Sequence, residues 1–160
     1  MSASTDEVAD RLAIQDLVHS YAQRVDTLDY EGVADVFTDD GVLTVCAIPG
    51  SSTVTNERRG RDDIAAAMRS VRRHLATTHT IGNHTAVITG DTATGHTRCV
   101  AHHVGGEPGA LTDLIWVLRY LDTYRRTAQG WRIAHRLLLL DMESEGPWAG
   151  TAARTPAPAS

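Results

Sequence analysis

The sequence predicts an α+β fold, with helices packed on one face of a curved, mostly antiparallel sheet. Two observations carry that expectation. The first part of the chain spaces its apolar residues at the helical period, and from Thr77 onward the period drops to two. The second part is also broken by three hairpin-type connections: Gly90-Asp91, the stretch Gly105 to Ala110, and Ala128-Gln129-Gly130. At 160 residues there is room for one ordinary domain.

Each element has a local reason. Ser4 followed by Glu7 forms a capping-box start, and Val8, Leu12, Leu17, Val18, Tyr21, Val25 and Leu28 continue it as an apolar stripe. The first helix is expected from about residue 5 to about residue 26. A short second helix, Tyr30 to Phe37, ends at the turn cluster Thr38, Asp39, Asp40, Gly41. Val42 to Ala47 reads as a strand, and residues 48–58, rich in small and turn-forming residues, read as a loop. Asp62 and Asp63 open a third helix whose last turn holds Arg69, Arg72 and Arg73, so both ends complement the helix dipole. Four long strands follow, at about 77–89, 93–104, 112–126 and 130–143. The domain is expected over residues 1–145. The remainder, 146–160, has the composition of a flexible tail, unless Trp148 folds back over a pocket mouth.

Composition narrows the chemistry. All 15 basic residues are arginine, so Schiff-base and lysine-base mechanisms are excluded. Net charge is −5 and the cationic residues are scattered, which argues against a nucleic-acid partner. No apolar run approaches a membrane span, and no leader-like segment precedes the domain, so a cytoplasmic location is expected. Cys46 and Cys99 lack metal-ligand spacing and read as two free buried thiols. Neither a metal nor a cofactor is expected: no histidine pair has the helical i, i+4 arrangement, and His96 with His102 lacks an obvious third ligand.

The stretch THTIGNH, residues 78–84, is the first chemical clue. In a regular strand His79 and His84 point to opposite faces, so only one of them faces the core. Ile81 and Val87 share the face of His79, which makes His79 the inward candidate. Asp26 is the second clue, because a carboxylate in the last turn of a helix opposes the negative end of the dipole. It either caps the following turn, with Asp29 nearby, or it is compensated by an imidazolium. An Asp26–His79 pair would fix the ring's tautomer and make it a general base. Tyr21, in the apolar stripe, needs a partner for its hydroxyl once buried. Arg136, beside the run Leu137 to Leu140, needs an anion: a protein carboxylate or a substrate oxyanion. His19, His74 and His84 read as solvent-facing or edge residues.

Four phrases together resemble a known family. They are IQDLVHSYAQRVDTLDYEGVADVFTDDGVL, RGRDDIAAAM, THTIGNHTAVITGDTAT and LRYLDTYRRTAQGWRIAHRLLLL. The chain is similar, over about residues 8–143, to the SnoaL-like proteins of the nuclear transport factor two-like superfamily. The resemblance implies a cone, in which a curved sheet wraps three N-terminal helices around a deep apolar pocket, usually in a homodimer. Similar enzymes include scytalone dehydratase, bile-acid dehydratase, hexachlorocyclohexane dehydrochlorinase, ketosteroid isomerase and polyketide cyclases. In the dehydratase and dehydrochlorinase members, an aspartate ending the first helix supports a histidine on a central strand. Asp26 and His79 fall on those positions, and Tyr21 on a further polar one.

The expected function is therefore a cofactor-independent lyase or isomerase acting on a hydrophobic small molecule such as a polyketide or steroid-like compound. His79 would be the base, Asp26 its support and Tyr21 a hydrogen-bond donor. His102, Arg136 and Trp116 would line the substrate pocket, with His102 and His103 competing for the inward place. Two alternatives stand beside this reading. One is an epoxide hydrolase or cyclase using Asp122 as an inward carboxylate, and the other is a non-catalytic binding or scaffold protein.

Overall fold

A computed structural model of the chain describes residues 5–153. The order of elements is α1 (Thr5–Asp26), α2 (Tyr30–Asp35), β1 (Phe37–Cys46), β2 (Asn56–Arg59), α3 (Arg61–Met68), a 3-10 turn (Arg69–Arg73), β3 (Ala76–Thr89), β4 (Thr92–Glu107), β5 (Ala110–Thr127) and β6 (Gly130–Pro147). The six strands form one curved, unclosed sheet in the order β2-β1-β6-β5-β4-β3. All neighbours are antiparallel except β1 and β6, which run parallel. The expected α+β class and helix order hold, with a parallel pair that the hairpin pattern did not foretell.

Several boundaries move. Ser4 of the expected capping box lies outside the described residues, as do residues 154–160 of the expected tail. Helix α1 buries Ile14, Val18, Tyr21, Ala22 and Val25. Val8 and Leu12, expected in its stripe, are 46% and 56% exposed, and the first turns meet the sheet instead through Asp10, which accepts from Arg126 and Trp131, and through Arg11. Phe37 and Val36 leave the second helix, which ends at Asp35, and Phe37 instead opens β1. The expected loop 48–58 contains the start of β2, a short, charged edge strand. The last strand continues to Pro147, so Gly146 and Pro147 pair with Asp113 and Thr112 rather than starting a tail. Trp148 remains tied to that edge, its N–H donating to the Leu111 carbonyl.

The concave face of the sheet packs against α1. Val18, Tyr21 and Val25 meet Leu118, Tyr120, Leu138 and Leu140 in one core cluster. Helix α1 also runs beside the free edge of β3 and is pinned to it at both ends. Arg11 donates to the Ala86 carbonyl at 2.8 Å, and the Asp26 carboxylate accepts the His79 N–H at 2.8 Å. Those contacts satisfy strand-edge groups that would otherwise invite further pairing.

One irregularity in β3 decides where the histidines point. Ile81 pairs with Cys99 and His84 with Thr97, so Gly82 and Asn83 together face the single residue Arg98. This is a bulge, and the extra residue restores the phase that the odd spacing would have lost. Consequently His79, Ile81, His84, Ala86 and Ile88 are all partly buried, while Val87 is 67% exposed. The expectation that only one of the two histidines faces inward is thus corrected: both do.

Candidate active site

The end of α1 explains how Asp26 reaches its position. Leu28 adopts φ 60°, a left-handed residue that stops the helix, and the Asp29 N–H donates back to the Arg24 carbonyl at 2.9 Å. Asp29, not Asp26, caps the next helix by accepting from the Gly32 N–H at 2.9 Å. A Cβ on Gly32 would lie 1.9 Å from the Asp29 carboxylate, so a larger residue there would displace the capping side chain. Asp26 points at β3.

There the carboxylate grips His79 twice. Oδ2 accepts the main-chain N–H, and Oδ1 accepts the ring Nδ1–H at 2.7 Å. The side chains of His79 and Asp26 are 9% and 22% exposed. Holding the proton on Nδ1 leaves Nε2 as the basic lone pair, and the carboxylate stabilises the imidazolium that would form on protonation. The cost of seating Asp26 against the helix dipole is offset by these two bonds.

The ring environment was only partly foreseen. His103, not His102, is the inward histidine of β4. It shares the concave side with Thr97, Cys99 and Ala101, and its ring meets those of His79 at 5.7 Å, Trp116 at 5.4 Å and His74 at 5.0 Å. Burial, assisted by the nearby His79, pushes the His103 pKa down to about 4. Its Nδ1–H donates to the Leu114 carbonyl at 3.1 Å, so a neutral ring presents Nε2 as an acceptor. His102 lies on the convex face, where its Nδ1–H donates to Asp113 at 2.7 Å, and its expected place in the pocket is withdrawn. Trp116 packs its ring on His103, and its indole N–H donates to Glu143 at 2.8 Å.

Burial decides five other positions. Arg136 is 0% exposed and makes two bonds to Asp122, at 2.9 and 2.7 Å. Its guanidinium is sandwiched between the rings of Tyr21 and Tyr120, at 4.2 and 4.1 Å. It is a structural ion pair rather than a pocket-lining group. Asp122, 2% exposed and also bonded by the Tyr124 hydroxyl at 2.8 Å, is sealed away from any water-activating role. Tyr21 is 4% exposed, with the Arg136 guanidinium stacked on its ring and Phe37 and Tyr120 packed edge-on against it, so the side chain belongs to the core cluster. His74, expected at the surface, packs on His103, and His84 bonds Thr97 Oγ1 at 2.9 Å. Burial lowers the His84 pKa. Sequence signals for both inward histidines existed: the Gly82-Asn83 bulge dipeptide for His84, and the small residues Ala101, Cys99 and Thr97 at alternate positions for His103.

Among the described residues no three His, Cys, Asp or Glu side chains stand together as metal ligands, and no helix is long and apolar enough to cross a membrane. Both cysteines are free and buried.

Residues 6–137 match the family profile described as a SnoaL-like domain. The chain belongs to the SnoaL-like family. Uncharacterized proteins of Mycobacterium tuberculosis and Mycobacterium bovis are 30% identical to this SnoaL-like chain over 138 residues, 84% of it and 87% of theirs. A candidate aromatic ring hydroxylase of Novosphingobium aromaticivorans superposes with a TM-score of 0.73 at 28% identity, covering 88% of this chain and 94% of that one. A candidate scytalone dehydratase of the same organism gives 0.69 at 19% identity, with 92% and 93% covered. The hexachlorocyclohexane dehydrochlorinase of Novosphingobium barchaimii gives 0.75 at 20% identity, with 96% and 100% covered. The last two likenesses establish the cone fold that this SnoaL-like domain shares with them.

Proposed function

We propose that this SnoaL-like protein is a cofactor-independent acid/base enzyme, a lyase of the dehydratase type or an isomerase. Its substrate would be a hydrophobic small molecule with an acidic C–H, such as a polyketide or steroid-like compound. The observation that carries the reading is the double grip of Asp26 on His79, which fixes the ring's tautomer and orientation in a poorly hydrated position. In this mechanism His79 Nε2 removes the proton from carbon, and Asp26 stabilises the resulting imidazolium. The neutral His103 accepts a hydrogen bond from a substrate hydroxyl, and Trp116 packs along the substrate. His103, held uncharged by burial, serves as an acceptor and not as a second acid. Tyr21 takes a supporting part, positioning the buried Arg136 under the site. The dehydratase and dehydrochlorinase among the structural neighbours are consistent with such chemistry on this fold.

The experiment is turnover of a panel of β-hydroxy ketones and related cyclic substrates by the wild type, His79→Gln and Asp26→Asn. Each substitution is expected to lower kcat/KM by about 10²–10⁴-fold, the usual worth of a positioned general base. Full activity in both variants on a substrate the wild type turns over would sink the mechanism. The epoxide-hydrolase alternative loses its candidate carboxylate with the burial of Asp122. The scaffold alternative predicts ligand binding without turnover in the same panel.

A further inference from the structure

We propose a second ligand site on the opposite side of α1: a cleft that takes the oxyanion, carboxylate or phosphate, of a small molecule on the guanidinium of Arg132. The cleft lies between α1, α2 and the β5–β6 turn and encloses about 630 Å³, within the range of small-molecule sites. Ser20 and Arg24 face it from α1, Gln129 and Arg132 come from the turn and the start of β6, and two carboxylates, Asp35 and Asp39, also line it, both within 3.8 Å of the Arg61 guanidinium. Arg24 and Asp26 are two residues apart, about 200° around the helix, so this cleft and the Asp26–His79 pair occupy opposite faces.

Arg132 is the reason for the assignment. Its Nη1–H groups donate to the carbonyls of Gln129 at 3.1 Å and Trp131 at 2.8 Å, which are neutral acceptors. Its Nε is buried and has no hydrogen-bond partner, and among the described residues no carboxylate forms an ion pair with it. The other cations at the cleft are already engaged. Arg61 donates through Nε and Nη2 to the Phe37 carbonyl, and its Nη1 lies 3.2 Å from Asp39. Arg24 donates to Ser20 at 3.0 Å and more loosely to Asp29 at 3.3 Å. The buried Arg136 has Asp122 as a carboxylate partner for its Nε and Nη2, though its Nη1 has no hydrogen-bond partner. A half-buried guanidinium with an orphaned N–H is costly until an anion meets it. The two main-chain carbonyls hold Nη1 and leave Nη2 for an oxyanion in the cleft, which would meet the buried Nε as well once the side chain turns toward it.

The test is calorimetric titration of the full chain with inorganic phosphate and, separately, succinate, at up to millimolar concentration. Saturable binding of at least one anion is expected, weakened about tenfold or more in Arg132→Gln, as removal of one charge-assisted pair requires. His79→Gln should bind it unchanged, which separates this site from the proposed catalytic one. Phosphate alone binding marks a phosphate-bearing ligand, and succinate alone a carboxylate-bearing one. In the wild type the Arg132 Nε–H resonance should shift on titration, a readout independent of how any variant folds. No saturable binding of either anion, equal binding by Arg132→Gln, or an Nε–H signal indifferent to both anions would overturn the proposal.

Discussion

At the scale of single residues, the protein treats its buried charges in two different ways. Arg136 and Asp122 are sealed together at 0% and 2% exposure, so replacing Asp122 with Asn strands a guanidinium in the core. That substitution is expected to cost about 3–5 kcal/mol in urea unfolding. Asp141→Asn, which breaks the partly exposed pair with Arg98 and Arg119, should cost only about 0–1 kcal/mol. A result in which the two variants unfold alike would contradict the buried pair. His103 behaves oppositely, being kept neutral. Its folded pKa of about 4 lies below the ordinary 6.5, so between those pH values the unfolded chain binds a proton that the folded chain refuses. The contribution of His103 is complete above about pH 6.5 and is lost as pH falls toward 4. Denaturation midpoints of His103→Asn should therefore fall less steeply across that window than those of the wild type.

At the scale of elements, the bulge in β3 and the end of α1 build the dyad between them. Gly82 and Asn83 opposite Arg98 put His79 and His84 in the same phase. Deleting Asn83 converts two-against-one into regular pairing and keeps both histidines inward, so the variant should fold and retain the Asp26–His79 contact. Deleting Thr80 shifts Ala76 to His79 by one position and turns His79 to the convex face. That variant should lose turnover and the downfield Nδ1–H signal of a carboxylate-bonded imidazole. Equal behaviour of the two deletions in proton NMR would show that the bulge does not set the phase. Much of this site was legible in advance. Asp26 stood out because its charge conflicts with the helix dipole, and His79 because apolar neighbours share its side. His103 and His84 left only weak signals, the alternating small residues of β4 and the Gly82-Asn83 dipeptide, since a single inserted residue or a choice of hairpin register reverses every assignment downstream.

At the scale of the whole molecule, the concave side of the sheet is occupied by α1, while among the described residues no element covers the convex side. Leu121, Met142 and Val87 are 37%, 58% and 67% exposed, and the first two lie on the central strands β5 and β6. We propose that the homodimer implied by the resemblance forms through this face. Light scattering should give a dimer for the wild type and a monomer for Leu121→Arg combined with Met142→Glu. A monomeric wild type would refute it. The outer edge, by contrast, carries the short charged strand Asn56–Arg59, a composition that discourages further strand pairing.

The amino-acid order by itself determined the class of fold, the number of helices and long strands, and the candidacy of Asp26 and His79. These depend on local periodicity, turn chemistry and a charge placed against a helix dipole, all of which act over a few residues. Tertiary structure alone decided which histidine of β4 faces the base, that Asp122 and not a ligand answers Arg136, and that Arg132 is left without a carboxylate. Those outcomes turn on cross-strand register and on which distant groups exclude water from one another, and no window of neighbouring residues contains that information.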